Sequence, residues 1–339
     1  MFEAVLSGLR DGVLVINPAG EIVYGNRAAT ELFSLGPVGF LGKRLLEAIR
    51  LPELADLVEA ARTFRRPHEA ELKIFYPGER TLLTSVDPIV SASGKDLGSA
   101  VVFRDISEMK RLENLRSEFV ANVSHELKTP LTAIRSYAET LLNGALADRD
   151  HNAEFVRKIE KHAENLTTLI DDLLEVSQLE ARRGLGDFVP VGVAWVVGKV
   201  LETVTEKARK KRIELTADCA DKDLTVSGIE DHVYRAMLNL ADNALNYTDA
   251  GGKVTIACGR TESGIEITVS DTGIGIAAEH LPRLFERFYR VDKARSRDLG
   301  GTGLGLAIVK HVMNIHNGLV SVESEEGKGS KFTLSFPGQ

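Results

Sequence analysis

The chain has 339 residues, 43% of them hydrophobic and 27% charged, with a formal net charge of -7 at pH 7. That length and composition describe a globular protein of two or three domains. The acidic balance argues against nucleic acid as a main partner, because a phosphate-binding surface usually makes a domain basic. Two cysteines, Cys219 and Cys258, form no metal or redox spacing and point to a reducing compartment. No run approaches the ~18 apolar residues of a membrane span. The longest candidate, VPVGVAWVVG at 189–198, falls well short, and the start lacks the basic region and apolar core of a signal peptide. The expectation is a cytoplasmic chain, or the cytosolic part of a membrane-anchored one, with no membrane segment of its own.

From residue 1 to about 106, short β-rich runs alternate with turn signals. GVLVINPAGEIVYGN predicts strand, Pro-Ala-Gly turn and strand. ELKIFYPGERTLLTSVDPIV and GSAVVFRDI add strands, with a helical stretch near 40–62 between. This is an α+β module with an antiparallel sheet. From about 107 to 183 the period changes to steps of three and four: Leu112, Leu115, Phe119, Val123, Leu127, Leu131, Ile134, Ala138, Leu141. Gly144 is a stop signal, and Asp148 or Asp150 a cap for a second helix with a stripe at Phe155, Ile159, Leu166, Leu169, Ile170, Leu173 and Val176. Two long helices with narrow stripes cannot bury themselves well alone. Pairing two such hairpins into a four-helix bundle solves that, so a homodimer is expected. After the Gly-rich linker ARRGLGDFVPVG, residues 190–339 mix helices with the hairpin-like GGKVTIACGRTESGIEITVSD and SVESEEGKGSKFTLSFP. They read as an α/β sandwich with a glycine-rich stretch near 273–303.

Within the first long helix lies NVSHELKTP, residues 122–130. His125 is two residues from both Val123 and Leu127, ~200° around the helix from each, and so faces away from the apolar stripe. Taken alone it fits a solvated surface histidine or an exposed nucleophile equally. Glu126 would accept the Nδ1 proton only with a particular rotamer or a bent helix, because neighbours i and i+1 do not face each other. Pro130 supplies a reason for a bend. Thr129 is one turn along on the face of His125.

Further on, Asn239 and Asn243 in NLADNALNYT share a helix face and offer two hard amide oxygens suited to Mg²⁺; such pairs are also ordinary surface residues. SDTGIGI, 270–276, ends a β-run with Asp271, able to accept from an adenine amino group, and with Gly273 and Gly275, which let backbone approach a flat ligand. An Asp-X-Gly turn is the plain alternative. GGTGLGLAIVKHV, 300–312, runs glycines into an apolar helix whose N-terminal N–H groups suit phosphate. It lacks a P-loop lysine and the strand of a dinucleotide fold.

Together and in this order, these motifs resemble the sensor histidine kinase family over residues 107–337. FVANVSHELKTPLTAI is similar to its phosphoacceptor box, NLADNALNYT to its N box, SDTGIGI and GGTGLGLAIVK to its glycine boxes, and LFERFYRVD to its F box. Residues 1–106 look like a PAS sensor domain, and LLEAIRLPELADLVEAA is similar to the PAS segment of phosphate-regulon sensor kinases. The resemblance implies three parts: a PAS-like domain at 1–106, a dimerising phosphotransfer hairpin at 107–183 and an ATP-binding sandwich of the gyrase and histidine-kinase type at 190–339. It implies that His125 takes the γ-phosphoryl group of Mg-ATP, with Glu126 as base and orienting group, and passes it to an aspartate of a response regulator receiver domain. Thr129 would position water for dephosphorylating that regulator. Asp271, Gly273, Gly275 and Ile276 would meet adenine, and Tyr247 would pack beside it. Asn243 with Asn239 would hold Mg²⁺. Arg290 and Gly301, Thr302, Gly303, Leu304, Gly305 and Leu306 would meet the phosphates, under a lid at 276–303 anchored by Phe285 and Phe288.

One position departs from the family pattern. Asn246 stands where NA-x-KYT has lysine, which removes a cation from the phosphate side. Lys310, Arg287 or Arg290 would have to compensate, or ATP affinity is lower. Two rival readings stand beside the kinase. An ATP-driven clamp shares the glycine boxes but needs a transducer domain for which the chain has no room, and a dimeric binding module with lapsed catalysis would keep the fold. The absence of cysteine from residues 1–106 argues against a thiol-adduct flavin photosensor, and the lone His68 is a poor haem ligand candidate.

Overall fold

The computed structural model describes residues 9–35, 40–148, 151–181, 188–292 and 301–338. The chain divides into two units, Met1–Val120 and Ala121–Gln339. The first holds a five-stranded antiparallel sheet in the order β2-β1-β5-β4-β3, from β1 (Gly12–Ile16), β2 (Ile22–Gly25), β3 (His68–Ile74), β4 (Arg80–Val90) and β5 (Asp96–Asp105). Strand alternation puts Leu82, Val86, Val101 and Phe103 on one buried face. Helices α1 (Arg27–Leu32), α2 (Leu45–Ala48) and α3 (Pro52–Phe64) contribute Ala29, Leu45, Leu54 and Val58 to that core. The sequence reading placed the strands and the helical stretch near 40–62 but not α1. Its signal is one residue: buried Asn26 caps α1 by accepting from the N–H of Ala29 (3.0 Å) and ties β1 by accepting from Val13 N–H (2.9 Å).

Helix α4 runs from Ser107 to Leu142 without interruption at Pro130. Pro130 has no N–H to give the carbonyl of Glu126, so the helix loses one ladder bond there. It ends near Gly144 (φ 122°), and Asp148 receives the N–H of His151 (3.3 Å) just before α5 (Asn152–Ala181). Asp150, the other cap candidate, lies outside the described residues.

The second unit then builds its mixed sheet, order β11-β12-β10-β9-β7, from β7 (Glu214–Asp218), β9 (Lys253–Thr261), β10 (Gly264–Asp271), β11 (Leu319–Glu325) and β12 (Gly329–Pro337). Among the described residues, only β7 and β9 pair in parallel. A short pair, β6 (Val189–Gly192) with β8 (Thr225–Gly228), flanks it. Helices α6 (Val193–Lys211), α7 (Glu230–Tyr247) and α8 (Gly305–Ile315) cover one face. Val196, Val200 and Val204 of α6 recur every fourth residue and meet Met237, Leu240, Ile256, Ile267, Val312 and Leu334 in the core. Leu169, Val176 and Leu179 of α5 join this same core, whereas Leu131, Val156, Ile170 and Leu174 remain exposed. Part of the second stripe therefore serves the sandwich rather than a bundle partner.

Cys219 and Cys258, which form no linear redox motif, are nevertheless brought together as a disulfide pair with Cα atoms 4.9 Å apart. The strand register brings them together across 39 residues, which no linear motif reports.

Candidate active site

A cavity of about 410 Å³ opens between α7, α8, the end of β10 and α5, within the size range of a small-molecule site. Its walls follow from three local features. First, the amphipathic face of α7 buries Met237, Leu240, Ala241, Ala244 and Leu245. That leaves Asn239, Asn243, Asn246 and Tyr247 on the cavity side. The Asn239 amide nitrogen donates to the carbonyl of Arg235 (3.1 Å), so its Oδ1 is the atom left for a ligand. Among the described residues no cluster of three His, Cys, Asp or Glu could hold a metal. A divalent ion here would rest on the two amides, neutral hard donors that fit Mg²⁺ when phosphate supplies the charge.

Second, β10 ends in Asp271, half-buried on the cavity wall. Burial pushes its carboxyl upward from the ordinary value, opposed by the N–H groups of Gly273 and Ser330. Gly273 donates to Oδ1 at 2.8 Å. A side chain at Gly273 would put Cβ 2.3 Å from the carbonyl of Tyr247, so only glycine permits this approach. Gly275, at φ +66°, would drive a Cβ to 1.9 Å from Glu325 O. Ile276 N–H donates to Ser324 Oγ (2.8 Å) and Gly327 N–H to Ile274 O (2.7 Å), which knits the loop to the β11–β12 turn.

Third, Gly301, Thr302, Gly303, Gly305 and Leu306 line the cavity where α8 begins. Backbone N–H groups at a helix N-terminus favour an anion. Opposite them is Arg290, its side chain only 7% exposed. Its Nη2 donates to Glu126 Oε2 at 3.2 Å, while its Nε is buried with no hydrogen-bond partner among the described residues. An orphaned guanidinium donor in such a cavity fits a phosphate oxygen.

Of the residues named from sequence, Asn239, Asn243, Tyr247, Asp271, Gly275, Ile276, Arg290, Gly301, Thr302, Gly303, Gly305 and Leu306 all line this one cavity. Gly273 holds Asp271 from behind, and Leu304 is fully buried in the core instead. His125 is exposed and is not part of the cavity lining. Thr129 Oγ1 donates back to the His125 carbonyl at 3.2 Å. The Glu126 carboxylate, expected beside the His125 ring, pairs with Arg290. Phe285 and Phe288 pack against the core as expected of anchors, but residues 293–300 of the expected lid lie outside the described residues. Lys310 sits over the Phe285 ring (6.0 Å) and does not line the cavity.

Sequence reasoning missed the acidic wall supplied by α5. Asp172 accepts from Thr302 Oγ1, and Glu175 faces Arg235 at 3.9 Å. Burial is the main cause of an upward shift in both carboxyls. A signal existed: Asp172 lies three residues after Leu169 and four before Val176, on the face where the stripe is apolar. Lys207 on α6, paired with Asp242, was missed as well because nothing local marks it.

Three family descriptions match: PAS fold at 1–106, His Kinase A (phospho-acceptor) domain at 115–182, and histidine kinase-, DNA gyrase B-, and HSP90-like ATPase at 228–339. Over 340 residues, 98% of the chain is 34% identical to sensor histidine kinase WalK of Bacillus subtilis, and this spans 54% of that protein, about half its length. The phosphate regulon sensor protein PhoR of Pseudomonas aeruginosa is 35% identical over 97% of the chain and 72% of its own length. The structure of histidine kinase ThkA, solved with response regulator protein TrrA, aligns over 99% of this chain and 98% of its own with a TM-score of 0.54. At 22% identity that likeness speaks to the fold. With its PAS, phosphoacceptor and ATPase parts in one chain, this protein belongs to the sensor histidine kinase family of ATP-dependent protein-histidine kinases.

Proposed function

We propose that His125 is the phosphoacceptor, that the cavity behind Asp271 takes ATP, and that the phosphoryl group passes on to an aspartate of a response regulator. The observation that carries this reading is the pairing, in one cavity, of a half-buried carboxylate, Asp271, with a buried guanidinium, Arg290, whose Nε has no partner among the described residues. Asp271 accepts the adenine amino group, and Tyr247 packs at the side of the base. Asn243 and Asn239 hold Mg²⁺, which when bound neutralises phosphate charge. Arg290 and the N–H groups from Gly301 to Leu306 fix the phosphate chain.

In the transfer itself, His125 Nε2 forms the new N–P bond as the bond from γ-phosphorus to the β-bridging oxygen breaks and ADP leaves. Glu126 receives the proton at Nδ1. That role requires Glu126 to leave Arg290, whose guanidinium is thereby released toward phosphate. The Arg290–Glu126 pair is thus a resting arrangement, in which base and phosphate ligand neutralise each other. Phosphoryl transfer depends on alignment, so the ATP-binding part must move to bring the γ-phosphate to His125.

The reading extends to a phosphatase step in which Thr129, its hydroxyl turned outward, orients water at the regulator's phosphoaspartate. It extends to a homodimer built on the exposed apolar residues of α4 and α5, Leu131, Ile170 and Leu174 among them. The division 1–106, 107–183 and 190–339 assigns sensing, phosphotransfer and ATP binding in that order. The likeness to PhoR over 97% of the chain favours the phosphate-regulon type. ATP use places the chain on the cytosolic side. No helix among the described residues is long and apolar enough to cross a membrane.

The test incubates the chain with Mg²⁺ and γ-labelled ATP beside His125→Gln. Acid-labile label on the parent alone is the expected result. Label on both, or on neither while nucleotide still binds, overturns the assignment of His125.

A further inference from the structure

The disulfide stands outside the kinase machinery, and its position is specific. Strand β7 forms one edge of the ATP-binding sheet and pairs in parallel with β9, Leu215 opposite Val254 and Ala217 opposite Ile256. Two residues further in the same register, Cys219 falls opposite Cys258. Cys258 continues the period-two row of Val254 and Ile256, so both sulfurs face the helical layer and pack against the core while remaining half-buried. The Cα separation of 4.9 Å lies inside the span a disulfide needs without moving backbone. These are the only two cysteines of the chain, so neither has another partner within it.

Asp271, at the cavity, is opposite Val254, while Cys258 is four residues further along β9. The sulfurs therefore do not touch the nucleotide site. What they enclose is the segment from 219 to 258, which contains β8 and the whole of α7 with Asn239 and Asn243. A link there ties the edge strand to the sheet interior and shortens the free loop that carries the amide pair.

We propose that Cys219 and Cys258 are a reversible redox site, a dithiol that a hydroperoxide converts to the disulfide. One thiolate attacks a peroxide oxygen, the O–O bond breaks, and a sulfenic acid and one water result. The second thiolate displaces the hydroxyl from that sulfur as another water, and the S–S bond forms. The two sulfurs lose two electrons and hydrogen peroxide gains them. A low-molecular-weight dithiol reverses the reaction through a mixed disulfide. Where ATP is made and used, thiols are kept reduced, so the pair rests as a dithiol and closes on oxidant exposure. Closure constrains the unfolded chain across a long loop and holds the edge of β7, which raises the stability of the ATP-binding part.

The experiment uses the full chain, reduced with dithiothreitol, desalted and split, one half treated with hydrogen peroxide. Each half is denatured, labelled with N-ethylmaleimide and weighed, and its melting is followed before denaturation. The expected result is two labels on the reduced chain and none on the oxidised one. A peptide joining Cys219 to Cys258 appears, the melting temperature rises by about 5–10 °C, and dithiothreitol undoes both. Peroxide leaves the melting temperature of Cys258→Ser unchanged. Two labels after peroxide, a link between chains, sulfinic acid on separate sulfurs, a bond that dithiothreitol does not open, or an oxidised form that melts at the same temperature would each overturn the proposal. None of these readouts involves ATP or His125, so their outcome is independent of the function proposed above.

Discussion

His125 and Asp271 are the two side chains at the centre of the proposed reaction, and the fold produces them by opposite means. His125 is exposed on α4, and its ring has no hydrogen bond to any described residue. Its proposed chemistry needs an imidazole in solvent reach and a carboxylate, Glu126, to take its Nδ1 proton. Asp271 is held half-buried by the Gly273 N–H, by its strand neighbours and by a loop knitted to a distant turn. The nucleophile is thus made by exposure and the nucleotide pocket by packing. Substitutions near the first should remove one chemical step, whereas substitutions near the second should remove a shape.

The largest effect tests that contrast directly. Gly273→Ala forces a Cβ to 2.3 Å from Tyr247 O and 2.9 Å from Asp271 Oδ1, and backbone cannot yield as a flexible side chain would. Nucleotide affinity should fall by about 100-fold or more, on the scale of two lost charge-assisted contacts, with the circular dichroism of the chain retained. His125→Gln, by contrast, should abolish acid-labile label and keep nucleotide binding. Titration with a fluorescent ATP analogue reads both variants. Equal affinity in Gly273→Ala and parent would remove the packing account of this pocket.

Packing also makes the sandwich sensitive to pH. His316 is 3% exposed, accepts the Ile229 N–H at Nε2 (3.0 Å) and donates from Nδ1 to Val312 O (2.7 Å). Accepting at Nε2 requires the neutral ring with its proton on Nδ1, whereas the Nδ1 bond survives protonation. Burial pushes its pKa down, opposed by the Val312 carbonyl. A histidine with a depressed folded value contributes stability that is full above the unfolded value of ~6.5 and is lost as pH falls toward the folded one. Denaturant unfolding should show a slope of up to about 1.4 kcal/mol per pH unit below that point. His316→Leu should flatten this slope whatever it does to the midpoint. An unchanged slope would assign the acid sensitivity elsewhere.

A smaller effect concerns the hold of α5 on the cavity. Asp172 accepts from Thr302 Oγ1 with its carboxyl raised, chiefly by burial and then by Asp171, against the pull of Thr302 and Arg235. A free α5 would restore the ordinary value of ~3.9, so the docked arrangement takes up a proton. Docking should tighten as pH falls through the raised value and loosen above it. Hydrogen exchange across 168–176 should quicken several-fold with rising pH beyond the intrinsic rate change, and Asp172→Asn should remove the excess. Identical profiles for parent and variant would leave Asp172 without a part in docking.

These regions also differ in how far the sequence revealed them. The exposed face of His125 followed from helical period alone, since one histidine two residues from Val123 and Leu127 can only point outward. Most cavity residues were found because glycines and an Asn pair recur in a fixed order. Asp172, Glu175 and Lys207 were not, because their contribution arises from α5 and α6 meeting α7, and long-range packing leaves no local pattern. The Cys219–Cys258 link was hidden for the same reason: a parallel register, not a spacing, makes it. Helix α1 escaped notice because a six-residue helix has too few turns for a period to show.

Asn246 is where the two modes of construction meet, and its replacement carries the smallest expected effect. It lines the cavity on the packed side of α7, yet its side chain is chemically idle compared with the lysine common at this place. Its carbonyl already receives Lys211 Nζ at 3.0 Å, so the backbone there is anchored and a new side chain would be the only change. The cations available nearby are spoken for in part: Lys207 pairs with Asp242, and Arg290 with Glu126. Asn246→Lys adds a charge that is partly solvated, and such a charge gains only about 0.5–1 kcal/mol against phosphate. Nucleotide affinity should therefore rise about two- to five-fold, more at low salt than at high salt because screening acts on exposed charge. An affinity that does not move would mean that Arg290 and the α8 N-terminus already satisfy the phosphates, and that the missing lysine costs this protein nothing.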